Sequence, residues 1–192
     1  EIILASKSKV RKEILDKNNI ISEVEHSNVD EDVIKESLLK NKDSPEIISK
    51  NLAEFKANKV SQKIAERLVL GADSVIDLNG ELISKPCTRD EAMVILKKLN
   101  GKKHNLVSSV CFSQNGSMIW NYTDKAVLTM KKLDDQDLIE YLSKISDEAL
   151  YAYNVYQIEG EGRKLFSEIK GDENTIMGLP IDKIKDYLKN YE

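Results

Sequence analysis

Leu68-Val69-Leu70-Gly71-Ala72-Asp73-Ser74-Val75-Ile76 is an apolar run interrupted by small residues and one acid. It reads as a buried strand. Asp73 lies where a lone carboxylate is costly unless a cation, a metal or hydrogen bonds compensate it. The stretch therefore predicts both a buried strand and a partnered acid within it.

Working outward, Ser44-Pro45 gives a helix cap followed by a first-turn proline, and Ile48, Leu52, Phe55, Lys59 and Ala65 carry helical spacing toward Arg67. Lys56 rides on this long helix. Upstream, Ile2 to Ala5 reads as a short buried strand, Ser6-Lys7-Ser8 as a polar turn, and Val10, Ile14 and Leu15 as one helical face. Ile20 to Val24 gives a second strand, and Asp30 or Glu31 opens a helix through Ile34, Leu38 and Leu39. Downstream, Asn79-Gly80 and Asn115-Gly116 are hairpin dipeptides that accept positive φ. Thr88 with Glu91 predicts a capping box for a helix burying Ala92, Ile95, Leu96 and Leu99. Asp134 to Ser143 reads as a helix with Leu138, Ile139 and Leu142 inward, Leu165-Phe166 as strand, and Leu179-Pro180 as the start of a last helix. With no repeat or linker, residues 1–192 read as a single α/β domain with a mixed sheet and flanking helices.

Composition narrows the function classes. The 192 residues carry 29 Lys and Arg against 33 Asp and Glu, a net charge of -4, which argues against a general nucleic-acid coat. The apolar runs are too short to span a membrane, and Lys7, Lys9, Arg11 and Lys12 follow the first of them at once, so the expectation is a cytoplasmic protein with no membrane partner. Cys87 and Cys111 stand apart from each other and from His26 and His104, which disfavours structural zinc and leaves two reduced thiols.

Five places carry candidate chemistry. Ser6, Ser8, Lys9 and Arg11 at a strand-to-helix turn offer hydroxyls, free backbone N–H groups and a guanidinium to an anion, without the glycines of a P-loop. Asp73 is a candidate metal ligand or general base. Lys56 and Lys85 could each meet phosphate, Lys85 being set at a strand end by the extended backbone before Pro86; taken locally, either is also an ordinary solvated lysine. Asp30-Glu31-Asp32 is either a helix start or an inward pair for a divalent cation. Glu159, beside Gly160 and Gly162 and after Tyr153 and Tyr156, could accept two donors from a guanine edge, or be a charged turn.

Together these segments resemble the Maf family of nucleoside triphosphate pyrophosphatases. The matching stretches are Leu4-Ala5-Ser6 with Ser8 and Arg11, Val29-Asp30-Glu31, Leu52-Ala53 with Lys56-Ala57, Gly71 to Val75, Gly80-Glu81 with Lys85-Pro86, Leu99 with Gly101-Lys102 and His104, and Gly178-Leu179-Pro180. The resemblance implies a two-lobed, inosine-triphosphatase-like α/β fold, often dimeric, with a nucleotide cleft between the lobes. It implies hydrolysis of a modified or non-standard nucleoside triphosphate to monophosphate and diphosphate, by metal-assisted water attack at the α-phosphorus. By position, Asp73 is the proton acceptor, Ser6 and Arg11 contact phosphate, Glu31 and Asp73 surround Mg²⁺ or Mn²⁺, and Lys56 and Lys85 neutralise the triphosphate. Where the family often has Ser-Pro-Arg-Arg, Ser8-Lys9-Val10-Arg11 keeps only the last arginine, which shifts phosphate contacts toward Lys9. Ile158-Glu159-Gly160 with Gly162 resembles the 7-methyl-GTP pyrophosphatase branch, with Glu159 toward the base. The alternative implied by the family's link to septum formation is a nucleotide-sensing, non-catalytic regulator of division.

Overall fold

The computed structural model describes residues 1–191. In chain order the elements are β1 (Ile2–Ala5), α1 (Lys9–Lys17), β2 (Ser22–Val24), α2 (Glu31–Lys40), α3 (Pro45–Ser61), β3 (Val69–Leu78), β4 (Glu81–Ile83), α4 (Arg89–Leu99), β5 (Lys103–Gln114), β6 (Ser117–Met130), α5 (Asp135–Ser143), α6 (Asp147–Tyr153), β7 (Phe166–Lys170), α7 (Glu173–Ile176) and α8 (Ile181–Lys189). The sheet order is β2-β1-β3-β5-β6-β7, with β4 also on β3. β1 runs parallel to β2 and β3, and the remaining pairs are antiparallel, which makes the sheet mixed as its strands predict.

The register of β3 opens the site. β5 pairs one edge of β3 from Val69 to Asp77. On the other edge β1 takes Val69 to Gly71 and β4 takes Ile76 to Leu78, so no strand covers Ala72 to Val75 there. Asp73 and Ser74 sit in that gap. Around it the core is divided. Leu15, Leu70, Phe112, Leu179 and Ile184 pack under α1 and α8. Leu96, Leu99, Leu128, Leu138 and Leu150 pack under α4, α5 and α6 at the other end. The long strands β3, β5 and β6 pass through both lobes, and the cleft lies between them.

α3 is seated on the sheet by small residues. Ala53, Ala57 and Val60 are buried beside Ile3, Val69 and Cys111, and a Cβ added at Gly71 would stand 2.2 Å from the Ala53 carbonyl oxygen and 2.8 Å from the Ala57 Cβ. Glycine is required for that approach. Both hairpin dipeptides adopt the expected left-handed pairs, with φ of 51° and 91° at Asn79-Gly80 and 52° and 85° at Asn115-Gly116.

Several expected details change. α3 ends at Ser61 rather than near Arg67, because the Ser61 hydroxyl accepts the Gly116 N–H at 2.9 Å and Asn115 Oδ1 accepts the Glu66 N–H at 2.9 Å, with Glu66 in left-handed geometry. The tip of the second hairpin thus caps the segment where the helix would continue. Ile139, expected to face inward, is exposed at 52%, and Phe55, on the helical repeat of α3, is exposed at 47%. On α3 the close approach at Gly71 rotates the face of Ala53, Lys56 and Ala57 inward and turns Phe55 out. Thr88 caps α4 by accepting the Glu91 N–H, but Glu91 accepts the Cys87 N–H in place of the reciprocal capping-box bond. α6 and α7 appear where no helix was expected. Both cysteines are free, Cys111 buried and Cys87 exposed.

Gly71→Ala should lower stability by about 3 kcal/mol or more, since the new methyl meets backbone rather than a flexible side chain. Denaturant unfolding checks this, and a near-neutral change would mean that α3 is not held at this distance.

Candidate active site

The cleft is a cavity of about 420 Å³ lined by segments of both lobes, and it brings together Ser6, Arg11, Glu31, Lys56, Asp73, Lys85 and Glu159. The seven residues given a role by the family resemblance therefore border one space. Lys9 does not. Its side chain is 82% exposed and lies 3.9 Å from Glu148, on the outer side of α1, while Lys7 lines the cleft. The anticipated transfer of phosphate contacts to Lys9 has no geometric basis here.

Lys56 is the buried centre. Its ammonium donates to the Ala72 carbonyl and to Asp73 Oδ1, each at 3.1 Å, and also pairs with Glu31. Both Lys56 and Asp73 are buried. The solvated reading of Lys56 is thereby corrected: the turn of α3 that brings Ala53 and Ala57 against Gly71 also carries Lys56 inward. The Ser49 hydroxyl donates to the Asp73 carbonyl at 3.0 Å, so α3 holds the Asp73 backbone as well. Asp30 and Glu31 divide the two readings of their cluster. Asp30 caps α2, accepting the Val33 N–H at 3.2 Å, and Glu31 turns to Lys56. Partial burial pushes the Glu31 carboxyl up, but the charge and hydrogen bond of Lys56, with help from Lys85 and Lys35, leave it below its ordinary value.

Arg11 is held differently. Its Nε donates to the Gly178 carbonyl at 2.8 Å, Nη1 to Ser6 Oγ at 3.3 Å and Nη2 to Ser74 Oγ at 3.1 Å, with no carboxylate among these partners. Desolvation lowers its pKa, with Asp73 and Glu31 pulling the other way, and arginine remains protonated. Ser8 caps α1 by accepting the Arg11 N–H at 3.2 Å, and the Ser6 hydroxyl accepts the Ser8 N–H at 3.1 Å, which folds the turn around the helix start. Lys85 keeps contact with solvent, yet the surrounding cleft walls desolvate its ammonium and, with the positive charge of Arg11, hold it below the ordinary lysine value.

At the other end of the cleft Tyr151, Tyr153, Tyr156 and Gln157 join Glu159, which accepts from Gln157 Nε2 at 2.9 Å. Tyr156 is fixed from behind by buried His104, whose Nε2 lies 2.7 Å from the tyrosine hydroxyl. Burial pushes His104 down to about 4. Sequence reasoning did not assign Ser74, Gln157 or Gly178 to the site. Ser74 and Gly178 lie inside stretches quoted for the resemblance, but nothing in their local spacing says that they touch Arg11.

The oxygens of Glu31 and Asp73 are of the kind that suits a divalent cation. Asp73 Oδ2 is buried and has no hydrogen-bond partner, and Glu31 stands on the other side of the same ammonium. Among the described residues no group of three or more His, Cys, Asp or Glu forms a self-sufficient metal cage. Two carboxylates plus phosphate oxygens are a usual Mg²⁺ environment.

This combination defines a two-lobed mixed α/β protein with a polar cleft in which unneutralised cations face a carboxylate pair. Its fold is similar to that of a HAM1 protein from Coxiella burnetii, with a TM-score of 0.54 at 11% identity over 98% of each chain. The chain belongs to the Maf family, whose Maf-like protein model matches residues 1–191. It is 71% identical to a nucleoside triphosphate pyrophosphatase of Pelagibacter ubique, over 98% of this chain and 97% of that one. It is 38% identical to one from Caulobacter vibrioides, over 98% and 94%, and 35% identical to a 7-methyl-GTP pyrophosphatase of Brucella abortus, over 94% and 91%.

Removing Lys56 leaves Asp73 as a buried charge short of its cation. Lys56→Met should therefore cost about 3 kcal/mol or more, and distinctly less in an Asp73→Asn background. Equal losses in the two backgrounds on denaturant unfolding would show that the pair is uncoupled. His104 supplies a pH dependence. Its folded pKa of about 4 lies below the ordinary 6.5, so the unfolded chain takes up a proton that the folded chain refuses. Its contribution is complete above pH 6.5 and is lost as pH falls toward 4, by about 3 kcal/mol in the limit. His104→Gln should lose less stability than wild type between pH 7 and pH 5 in paired denaturant melts.

Proposed function

We propose that this chain is a nucleoside triphosphate pyrophosphatase that hydrolyses its substrate to the monophosphate and diphosphate. The observation that carries the reading is the unpartnered Oδ2 of Asp73, held in the cleft by Lys56 and faced by Arg11 and Lys85. The names of the relatives from Pelagibacter ubique and Caulobacter vibrioides support it.

In this reading Lys56 fixes Asp73 Oδ1, which leaves Oδ2 to accept the proton of a water. The water oxygen attacks the α-phosphorus, the bond from that phosphorus to the bridging oxygen breaks, and diphosphate leaves. Arg11 presents its free N–H groups to phosphate oxygens, and Lys85 places a second positive charge beside them. Ser6 shapes the turn and contacts the phosphate chain. Mg²⁺ or Mn²⁺ held between Glu31, Asp73 and the substrate would offset charge on the phosphate oxygens. The closed lining around Lys56 and Asp73 keeps bulk water from competing with the attacking one.

For the base, we place the purine between the tyrosines at the Glu159 end, with Glu159 and Gln157 reading its edge. The Brucella abortus relative supports a modified guanine. We read the protein as cytoplasmic. Among the described residues no helix is long and apolar enough to cross a membrane.

A nucleotide panel with a divalent cation should yield monophosphate and diphosphate in equal amounts, and orthophosphate in place of diphosphate would mean that a different bond is cut. Asp73→Asn should keep nucleotide binding while kcat falls about a hundredfold or more. Turnover near wild type in that variant would remove Asp73 from the reaction. On the same panel Glu159→Gln should move the preference away from guanine-type bases, and an unchanged profile would take Glu159 out of base reading.

A further inference from the structure

Behind Arg11 a chain of hydroxyls crosses the sheet. Arg11 Nη2 donates to Ser74 Oγ at 3.1 Å, Ser74 Oγ lies 2.6 Å from Ser108 Oγ, and Ser108 Oγ donates to the Thr175 carbonyl at 2.8 Å. The proton order along it follows from valence. A carbonyl can only accept, so the Ser108 proton is committed to Thr175. In the 2.6 Å contact Ser108 must then accept, and Ser74 must donate. Ser74, its own proton spent, has only lone pairs left for Arg11. Every hydroxyl in the chain therefore points away from the cleft, and each bond polarises the next, which strengthens Ser74 as an acceptor.

The same chain reaches Arg11 by a second route. Thr175 belongs to α7, whose Asp172 cap accepts the Asn174 and Thr175 N–H groups at 2.6 and 3.1 Å. The Thr175 hydroxyl donates to Asp124 Oδ2 at 2.6 Å. α7 is thus tied to β5 by Ser108 and to β6 by Asp124, and three residues after Thr175 the Gly178 carbonyl takes the Arg11 Nε–H. Gly178 has φ of 116°, and a Cβ there would stand 3.1 Å from Arg11 Nε, so the carbonyl presses close to the guanidinium. The Nε end of the fork is thus aimed from this anchored turn, and the Nη2 end is aimed by Ser74, whose hydroxyl chain ends on the same turn. Of five guanidinium N–H groups, Nε and one on each Nη are taken, which leaves one on Nη1 and one on Nη2.

We propose that Ser108, acting through Ser74 and through the α7 turn, is a positioning residue that locks the Arg11 fork with its remaining N–H pair and its full charge presented to the triphosphate. This builds on the pyrophosphatase reading and adds residues that lie outside the cleft lining. Ser108 is fully buried and does not border the cavity, so any effect it has on turnover must pass through Ser74 and the α7 turn, which do border it, or through the fold, and the Arg11→Ala background tells whether Arg11 carries it.

The test is a cycle of Ser108→Ala and Ser74→Ala, each in the wild-type and Arg11→Ala backgrounds. In the wild-type background each should lower kcat/KM for triphosphate hydrolysis about tenfold, the size of one hydrogen bond to a charged group. In the Arg11→Ala background neither should lower it by more than about twofold. An equal loss in both backgrounds, or no loss with Arg11 present, overturns the proposal. A readout without nucleotide separates it from the functional reading. The Arg11 Nη signals in ¹⁵N NMR should show hindered guanidinium rotation in the wild type and faster rotation in both serine variants. A protein that releases no diphosphate but shows this change defeats the pyrophosphatase reading and keeps the positioning role; unchanged rotation defeats the role whatever the activity. If Ser108→Ala does not fold, half-buried Ser74→Ala decides alone.

Discussion

The structure of the cleft depends on placing the Lys56 ammonium, almost out of water, between two carboxylates. Such a charge costs several kcal/mol to bury, and the cost is offset only when partners surround it. Here Asp73, Glu31 and the Ala72 carbonyl do so. Because Lys56 reaches them from a helix, the helix must lie close to the strand, and the Gly71 contact with Ala53 and Ala57 provides that distance. Backbone packing and site electrostatics are therefore one constraint. The arrangement also keeps one Asp73 oxygen tethered and leaves the other without a partner.

Two kinds of cation result. Lys56 is neutralised inside the protein and serves the carboxylates. Arg11 is bound by a carbonyl and two hydroxyls, which take its N–H groups without cancelling its charge. Lys85 is held below its ordinary value first by desolvation and then by the charge of Arg11, against the opposite pull of Glu31 and Asp73. A chain with a net charge of -4 can thus present a locally positive wall to an anion. Composition described the average, and burial and pairing decide which charges remain available.

How much of this was legible in the sequence varies with the physics involved. The hairpin glycines, the Ser44-Pro45 start and the core-like run through Asp73 follow from local steric and capping rules, and each lies where expected. The seven candidate residues meet because ordered motifs carry a whole fold with them. What was not legible depends on packing between distant segments. Phe55 and Ala53 are both apolar residues on one helix, and only the Gly71 contact says which faces in. The end of α3 is set by a hairpin tip about 50 residues on, at Asn115-Gly116. Lys56 looks like any helix lysine until the strand beneath it is placed. Ser108 and Ser109, polar in a buried strand, did carry a local signal, since buried hydroxyls need partners; which partners is a matter of topology.

The uncovered stretch of β3 explains why the cleft residues gather where they do. Between the ends of β1 and β4 the strand from Ala72 to Val75 has a neighbour on one edge only, so side chains and bound groups can approach where a strand would otherwise pair. Alternation then sends Asp73 toward α3 and Ser74 toward Arg11 and α7, so adjacent residues serve the two halves of the site from opposite faces. α2 completes it without joining the core. None of its residues is buried, and its attachments here are polar: the Glu31 pair with Lys56, and Lys59 donating to the Asn28 carbonyl at 2.8 Å just before it. Since little apolar burial holds this helix, the Glu31 carboxylate is placed chiefly by the ammonium it neutralises. The position of one candidate metal ligand is therefore set by the same ammonium that tethers the other, and the two carboxylates act as one unit.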